Sequence, residues 1–297
     1  MSTAFIFPGQ GGQFVGQGRA WIDRDPSLMD IMKMADDITG LPISQLCFEG
    51  PVEELSKTIN LQPAVLAVSL MALRQMKNDH TPAFAAGHSL GEFAALCAAG
   101  VFSEETALSL VAKRAVYMDE AAAKNPGAML AVLGLPAEEV ESICELARNE
   151  GLVTPANFNT PEQTVISGEA RAVAAAGKYV KMKNGKAIAL PVSGAFHSEL
   201  MDGAAKKFAL ELEKVEFKTP LCPVIPNSLG QPVQNPAEIK ARLLTQITSP
   251  VRWTATVDSL AAAGVTEILE GWPKPYMGGM VKKCLPKGTE IAVTCQP

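Results

Sequence analysis

Gly87-His88-Ser89-Leu90-Gly91 carries the spacing G-x-S-x-G, in which flanking glycines let a serine sit on a sharp turn with its hydroxyl exposed. Read blandly, the pentapeptide is a glycine-rich loop capped by a serine. A serine hydroxyl becomes a nucleophile only beside a base, and the chain has three histidines, His80, His88 and His197. His80 falls in a polar stretch between Asp79 and Thr81, and His88 lies on the turn itself, whose geometry directs its side chain elsewhere. Elimination leaves His197, in Ser193-Gly194-Ala195-Phe196-His197-Ser198, although a single histidine is as readily structural. The chemistry open to such a pair is acyl transfer or hydrolysis through a serine ester. Gly9-Gln10-Gly11-Gly12 is an ordinary turn or a cradle of backbone N–H groups. A phosphate loop is disfavoured because no Gly-Lys-Ser/Thr follows. Arg114, in Val111-Ala112-Lys113-Arg114, has the composition of a solvated helix charge when read alone.

The elements that must position these residues are legible as patterns. Ala4 to Phe7 reads as a buried strand entering the glycine-rich turn, and residues 61 to 77 have helical apolar spacing with Pro63 in an early turn. Ala83 to Ala86, the Ser89 turn and an alanine-rich helix from Glu92 to Ala99 give strand, turn, helix, while Ser103 reads as the N-cap of a further helix to about Ala123. Between Asn125 and Ser193 the rhythm changes: strands at 128–133, 152–157, 164–167 and 187–192, with helices at 136–149 and 169–183, give βαββαβ. That is the ferredoxin-like pattern, so an inserted subdomain is expected at 125–193 within a catalytic domain of residues 1–124 and 194–297. A helix near 199–214, a Pro- and Gly-dense loop at 220–236, a helix near 251–263 and a strand at 266–270 complete the chain.

Composition bounds the function. With 297 residues, 47% hydrophobic and 19% charged, the chain can bury a large α/β core and is not disordered. A net charge of -5 argues against nucleic acid as the main partner. Cys47, Cys97, Cys144, Cys222, Cys284 and Cys295 form no C-x-x-C pair and no metal-ligand cluster, which reads as reduced thiols in a cytoplasmic protein with no metal. The apolar stretch 82–102 is interrupted by His88 and Glu92, so no membrane association is expected.

Taken together, Phe7-Pro8-Gly9-Gln10-Gly11, Gly87 to Glu92, Arg114 and Gly194-Ala195-Phe196-His197-Ser198 resemble the malonyl-CoA:acyl-carrier-protein transacylase family. Leu61-Gln62-Pro63-Ala64, Asn157-x-Asn159 and Pro250-Val251-Arg252-Trp253 extend the likeness over nearly the whole chain. The resemblance implies an α/β-hydrolase-like large domain carrying the ferredoxin-like insert. It further implies Ser89 as acyl acceptor, His197 as base, backbone N–H groups of Gln10 and Leu90 as oxyanion hole, and Arg114 as a fork for the acyl carboxylate. A backbone carbonyl at Gln246 would orient His197, so replacing the Gln246 side chain is expected to cost less activity than replacing Ser89 or His197. The partners implied are malonyl-CoA and an acyl carrier protein in fatty-acid or polyketide synthesis, with no cofactor. Two departures stand out: Gly12 where serine is common, and Gly271-Trp272-Pro273-Lys274-Pro275-Tyr276 where the family usually reads Gly-Pro-Gly-Lys. Because carrier proteins are acidic, a basic face is expected from Arg171, Lys178, Lys181, Lys183 and Lys186, with Lys282, Lys283 and Lys287. The alternatives are a hydrolase clearing acyl groups from carrier proteins and a non-catalytic docking subunit of a synthase.

Overall fold

The computed structural model describes residues 2–295. β1 (Thr3–Phe7) is buried along its whole length, as an unbroken apolar run requires of a strand covered on both faces. After the glycine-rich turn come α1 (Arg19–Arg24), α2 (Met29–Thr39), α3 (Ile43–Glu49), α4 (Val52–Leu55) and the long α5 (Thr58–Asp79). α5 begins three residues before the apolar pattern does, so Pro63 falls in its second turn and removes one early helical hydrogen bond. β2 (Phe84–Gly87) runs through the Ser89 turn into α6 (Gly91–Ala98), giving the predicted strand, turn, helix. α7 (Glu104–Lys124) follows, and the Ser103 hydroxyl accepts the Thr106 N–H at 3.1 Å as its cap.

Next come β3 (Ala128–Leu133), α8 (Ala137–Ala147), β4 (Val153–Thr160), β5 (Gln163–Gly168), α9 (Ala170–Met182) and β6 (Lys186–Ala189). The element order is the predicted βαββαβ, although the closing strand stops at Ala189, short of Pro191, which cannot donate to a ladder. These strands form an antiparallel sheet in the order β4-β5-β3-β6, with its own apolar cluster that includes Val132, Val140, Ile143, Ile166 and Val180. The chain continues through α10 (Asp202–Glu213), β7 (Val224–Ile225), α11 (Pro236–Thr245), α12 (Trp253–Ala262), β8 (Glu267–Glu270), α13 (Gly278–Cys284) and β9 (Ala292–Cys295). The Pro- and Gly-dense stretch predicted as loop therefore contains β7, and the segment after β8 contains α13.

The second sheet is parallel throughout, in the order β7-β2-β1-β8-β9. Phe7 pairs with Gly87, Ile6 with Glu270 and Ala86 with Ile225, so the carboxyl ends of four strands lie side by side. In an open parallel sheet the segments leaving those ends share one edge, and that edge is where sites form. The turns bearing Gln10, Ser89, Asn227 and Tyr276 all leave from there. A backbone bridge from Asn157 on β4 to Val251 ties the antiparallel sheet to the segment before α12. No helix among the described residues is long and apolar enough to cross a membrane.

Candidate active site

Ser89 sits at the turn between β2 and α6 with φ 49°, and His197 has φ 58°; side chains other than glycine rarely occupy this left-handed region. Such strain persists only where surroundings enforce it. Around Ser89 the enforcement is visible. Its N–H donates to Asn227 Oδ1 at 2.5 Å, and Asn227 Nδ2 donates to the Gly87 carbonyl at 2.6 Å. A Cβ on Gly91 would overlap the Phe7 carbonyl, and one on Gly87 would overlap Gly91, so both glycines of the motif are sterically required. At the other residue, the His197 N–H donates to the Ile247 carbonyl at 3.1 Å.

Ser89 Oγ lies 2.8 Å from His197 Nε2. His197 Nδ1 faces two carbonyls, Ser249 at 2.9 Å and Gln246 at 3.1 Å, and a carbonyl can only accept. The proton of a neutral ring therefore resides on Nδ1, leaving the Nε2 lone pair for the serine hydroxyl. Burial, then the positive charge of Arg114, lowers the His197 pKa from 6.5 to about 3, so the ring is neutral at neutral pH and its Nε2 lone pair is unprotonated. No carboxylate among the described residues touches it; two main-chain dipoles do the orienting, the second of them at Ser249. His88 points away from Ser89, as its position on the turn predicts, and its Nε2 meets Asn159 Oδ1 at 2.8 Å.

Arg114 is fully buried on α7, in one stripe with Leu108, Val111, Ala115 and Met118. Its Nη1 donates to Gln62 Oε1 at 2.6 Å, and its Nη2 donates to Gln246 Oε1 at 3.2 Å and Ser89 Oγ at 3.5 Å. Nε has no hydrogen-bond partner, and no carboxylate forms an ion pair with the guanidinium among the described residues. Burial lowers its pKa to about 10, which still leaves it charged. A buried, unpaired cation costs several kcal/mol in a protein interior, roughly, so an acidic group brought to it is strongly favoured.

Glu92 is the nearest buried carboxyl in this network: Oε2 accepts from Gln246 Nε2 at 3.0 Å and from the Asn227 N–H at 3.2 Å, while Oε1 has no partner. Burial pushes its pKa up to about 7 against the lowering by those hydrogen bonds and Arg114. Gln246 Nε2 also donates to the Ser89 carbonyl at 2.9 Å. The Gln246 carbonyl lies 3.1 Å from the imidazole, and its side chain also links Arg114, Glu92 and the serine turn, a duty the sequence did not disclose. Gln10 and Leu90 follow the paired ends of β1 and β2, and neither backbone N–H donates a hydrogen bond among the described residues.

A cavity of about 800 Å³ opens between the two sheets, with Gln10, His88 and Phe196 on one side and Asn157, Asn159 and Val165 on the other. Its lining includes His88 and Phe196, the chain neighbours of Ser89 and His197. No group of acidic, cysteine and histidine residues among those described is arranged to hold a metal ion.

The family described as "Acyl transferase domain" matches residues 4–294. The chain is 42% identical over 294 residues to "Malonyl CoA-acyl carrier protein transacylase" of Bacillus subtilis strain 168, covering 98% of this chain and 93% of that protein. It superposes with a TM-score of 0.94 on the malonyl CoA-acyl carrier protein transacylase of Coxiella burnetii, at 35% identity over 100% of this chain and 94% of the other. It superposes equally, at 36% identity over 99% and 96% of the two chains, on a malonyl-transacylase solved in complex with its type II polyketide synthase acyl-carrier protein.

Proposed function

This chain belongs to the acyl transferase domain family, and we propose that it carries a malonyl group from malonyl-CoA to the phosphopantetheine thiol of an acyl carrier protein through an ester on Ser89. The observation that carries the reading is one constellation: a serine hydroxyl 2.8 Å from a neutral imidazole, with a buried guanidinium, in no ion pair among the described residues, 3.5 Å from the same oxygen. Malonyl thioesters differ from plain acyl thioesters by a free carboxylate, and Arg114 is the group that would recognise it.

The reaction follows from the positions. His197 Nε2 takes the Ser89 proton as Oγ attacks the thioester carbonyl, and the Gln10 and Leu90 N–H groups receive the oxyanion. The carbon–sulfur bond breaks, the proton passes from His197 to the leaving sulfur, and CoA departs as the free thiol. The carrier thiol then gives its proton to His197 and attacks the ester. As the tetrahedral intermediate collapses, Ser89 Oγ recovers the proton, the carrier holds the malonyl group, and the enzyme is unchanged, which makes the kinetics ping-pong. The strand order β4-β5-β3-β6, with the last strand beside the first, supports a ferredoxin-like insert at residues 125–193. The parallel sheet with a strained serine turn supports an α/β-hydrolase-like body at 1–124 and 194–297. Six unpaired thiols support a reducing, cytoplasmic setting.

The test is loading. Incubated with labelled malonyl-CoA, the protein should take up label on Ser89, acetyl-CoA should label it far less, and Arg114→Ala should erase that preference. Equal labelling by both thioesters, or malonate release that outpaces transfer to carrier protein, would refute the assignment.

A further inference from the structure

The two places where the sequence departs from the family it resembles touch each other. Tyr276 lies over the first glycine-rich loop: a Cβ on Gly12 would stand 3.2 to 3.3 Å from three of its ring carbons, and a Cβ on Gly11 would meet its hydroxyl at 2.6 Å. The Tyr276 hydroxyl donates to the Gln10 carbonyl at 3.3 Å. Two further side chains of the same segment reach the same loop. The Trp272 indole N–H donates to the Gly12 carbonyl at 3.2 Å, and the Lys274 ammonium lies 3.8 Å from the centre of the Phe14 ring. The segment is itself fixed from below, because the buried Glu270 carboxylate accepts the backbone N–H groups of Tyr276, Met277 and Gly278 at 2.8 to 3.3 Å.

We propose that Tyr276 is a positioning residue for the oxyanion-binding loop, its hydroxyl tying down the Gln10 carbonyl and its ring covering Gly12, so that the Gln10 N–H keeps its aim at the reacting carbonyl. This rests on the acyl-transfer reading and adds to it. Gly9, on the other side of Gln10, is already confined, since a Cβ there would stand 2.6 Å from the His88 carbonyl. A loop of four residues, three of them glycine, is conformationally loose by composition. Pinned at Gly9 by the serine turn and at Gln10 and Gly12 by the 271–278 segment, it loses that freedom before substrate arrives. Preorganised donors stabilise a developing oxyanion because no reorganisation is needed when charge appears. Glycine at position 12 is then the partner of the tyrosine: a serine there would crowd the ring and force it to shift by a few tenths of an ångström. Both Gln10 and Tyr276 line the cavity, so the ring and the loop it covers face the same space.

The test uses the full chain. Tyr276→Phe keeps the ring and removes the hydroxyl. It should lower the rate constant of Ser89 malonylation about tenfold, less than the roughly hundredfold or greater loss when an oxyanion donor is deleted outright, with KM for malonyl-CoA within about twofold and an unchanged melting midpoint. Gly12→Ser should reproduce that loss in the native background and add nothing in a Tyr276→Ala background, since the ring it displaces is gone. A Tyr276→Phe enzyme that acylates at the native rate, or additive effects of Gly12→Ser and Tyr276→Ala, would overturn the proposal. Failure of the unaltered protein to take malonyl on Ser89 is a separate result, and strikes the acyl-transfer reading instead.

Discussion

Inside the site, His197 and Glu92 titrate in opposite senses, and the two can be separated. The His197 ring is neutral in the folded protein down to about pH 3, whereas in the unfolded chain it takes a proton near 6.5. Folding stability from this residue is therefore present above pH 6.5 and lost as pH falls below it. Glu92 binds a proton up to about pH 7 when folded but only to about 4.5 when unfolded, so its contribution is full below 4.5 and lost as pH rises through 7. In Glu92→Gln the falling component disappears while the Asn227 and Gln246 hydrogen bonds keep an oxygen acceptor. Urea midpoints measured at pH 5 and pH 7 should rise more steeply with pH in this variant than in the native protein; identical slopes would mean that Glu92 carries no shifted proton. The sequence made Ser89 and His197 legible because a nucleophile needs a rare pattern and the chain offers few bases. Asn227 and Ser249 gave no such sign: one follows a strand of two residues and the other lends only its carbonyl, so neither has a spacing to read. Arg114 was half legible, since the apolar residues at 108, 111, 115 and 118 place position 114 on the buried face even though its type suggests solvent.

At the scale of elements, the strand, turn and helix around Ser89 were readable because their constraints are local. Gly87 and Gly91 must lack side chains for the β2 turn to pass beneath β1, and that demand shows in five residues. β7 was not readable. It is two residues long between Pro223 and Pro226, and only its pairing with β2 makes it a strand. Its function is nonetheless central, because it delivers Asn227 to the serine turn. A glycine contrast tests this account. Gly91→Ala should destabilise the protein by more than about 3 kcal/mol, since backbone of β1 and α6 cannot both stay in place. Gly203→Ala, in α10 with nothing within 4 Å of the added methyl, should stabilise it by about 0.5 to 1 kcal/mol. Thermal melts of the two variants give the comparison, and equal melting midpoints would show that the tight turn is not a steric requirement.

Across the whole molecule, the site gathers residues from positions 10 to 249, and what brings them together is the parallel sheet order rather than any nearness in sequence. The same geometry confines the approach of a carrier protein, because the cavity opens between the two sheets and its wall includes Leu190 to Ser193, the segment that follows the edge strand β6. Lys186 on that strand and Lys178 and Lys181 on α9 are exposed and form no ion pair among the described residues, whereas Lys183 is bound to Glu139 at 3.0 Å and Arg171 to Glu169 at 3.5 Å. Of the basic face expected from the sequence, Lys178, Lys181 and Lys186 on the insert and Lys282, Lys283 and Lys287 near the C-terminus are thus exposed without an ion pair among the described residues, and Tyr179, Met182 and Ile188 stand exposed beside the first three. An acidic carrier would be drawn there by charge and seated by the apolar groups, in a protein whose net charge would otherwise repel it. Lys178→Glu with Lys181→Glu should raise KM for carrier protein roughly tenfold at low salt, with the difference shrinking as salt is added. Malonyl loading of Ser89 from CoA should be unchanged, because the small thioester does not need that face. If loading and transfer fell together, or if salt left the defect untouched, the carrier would have to approach from another side of the cavity.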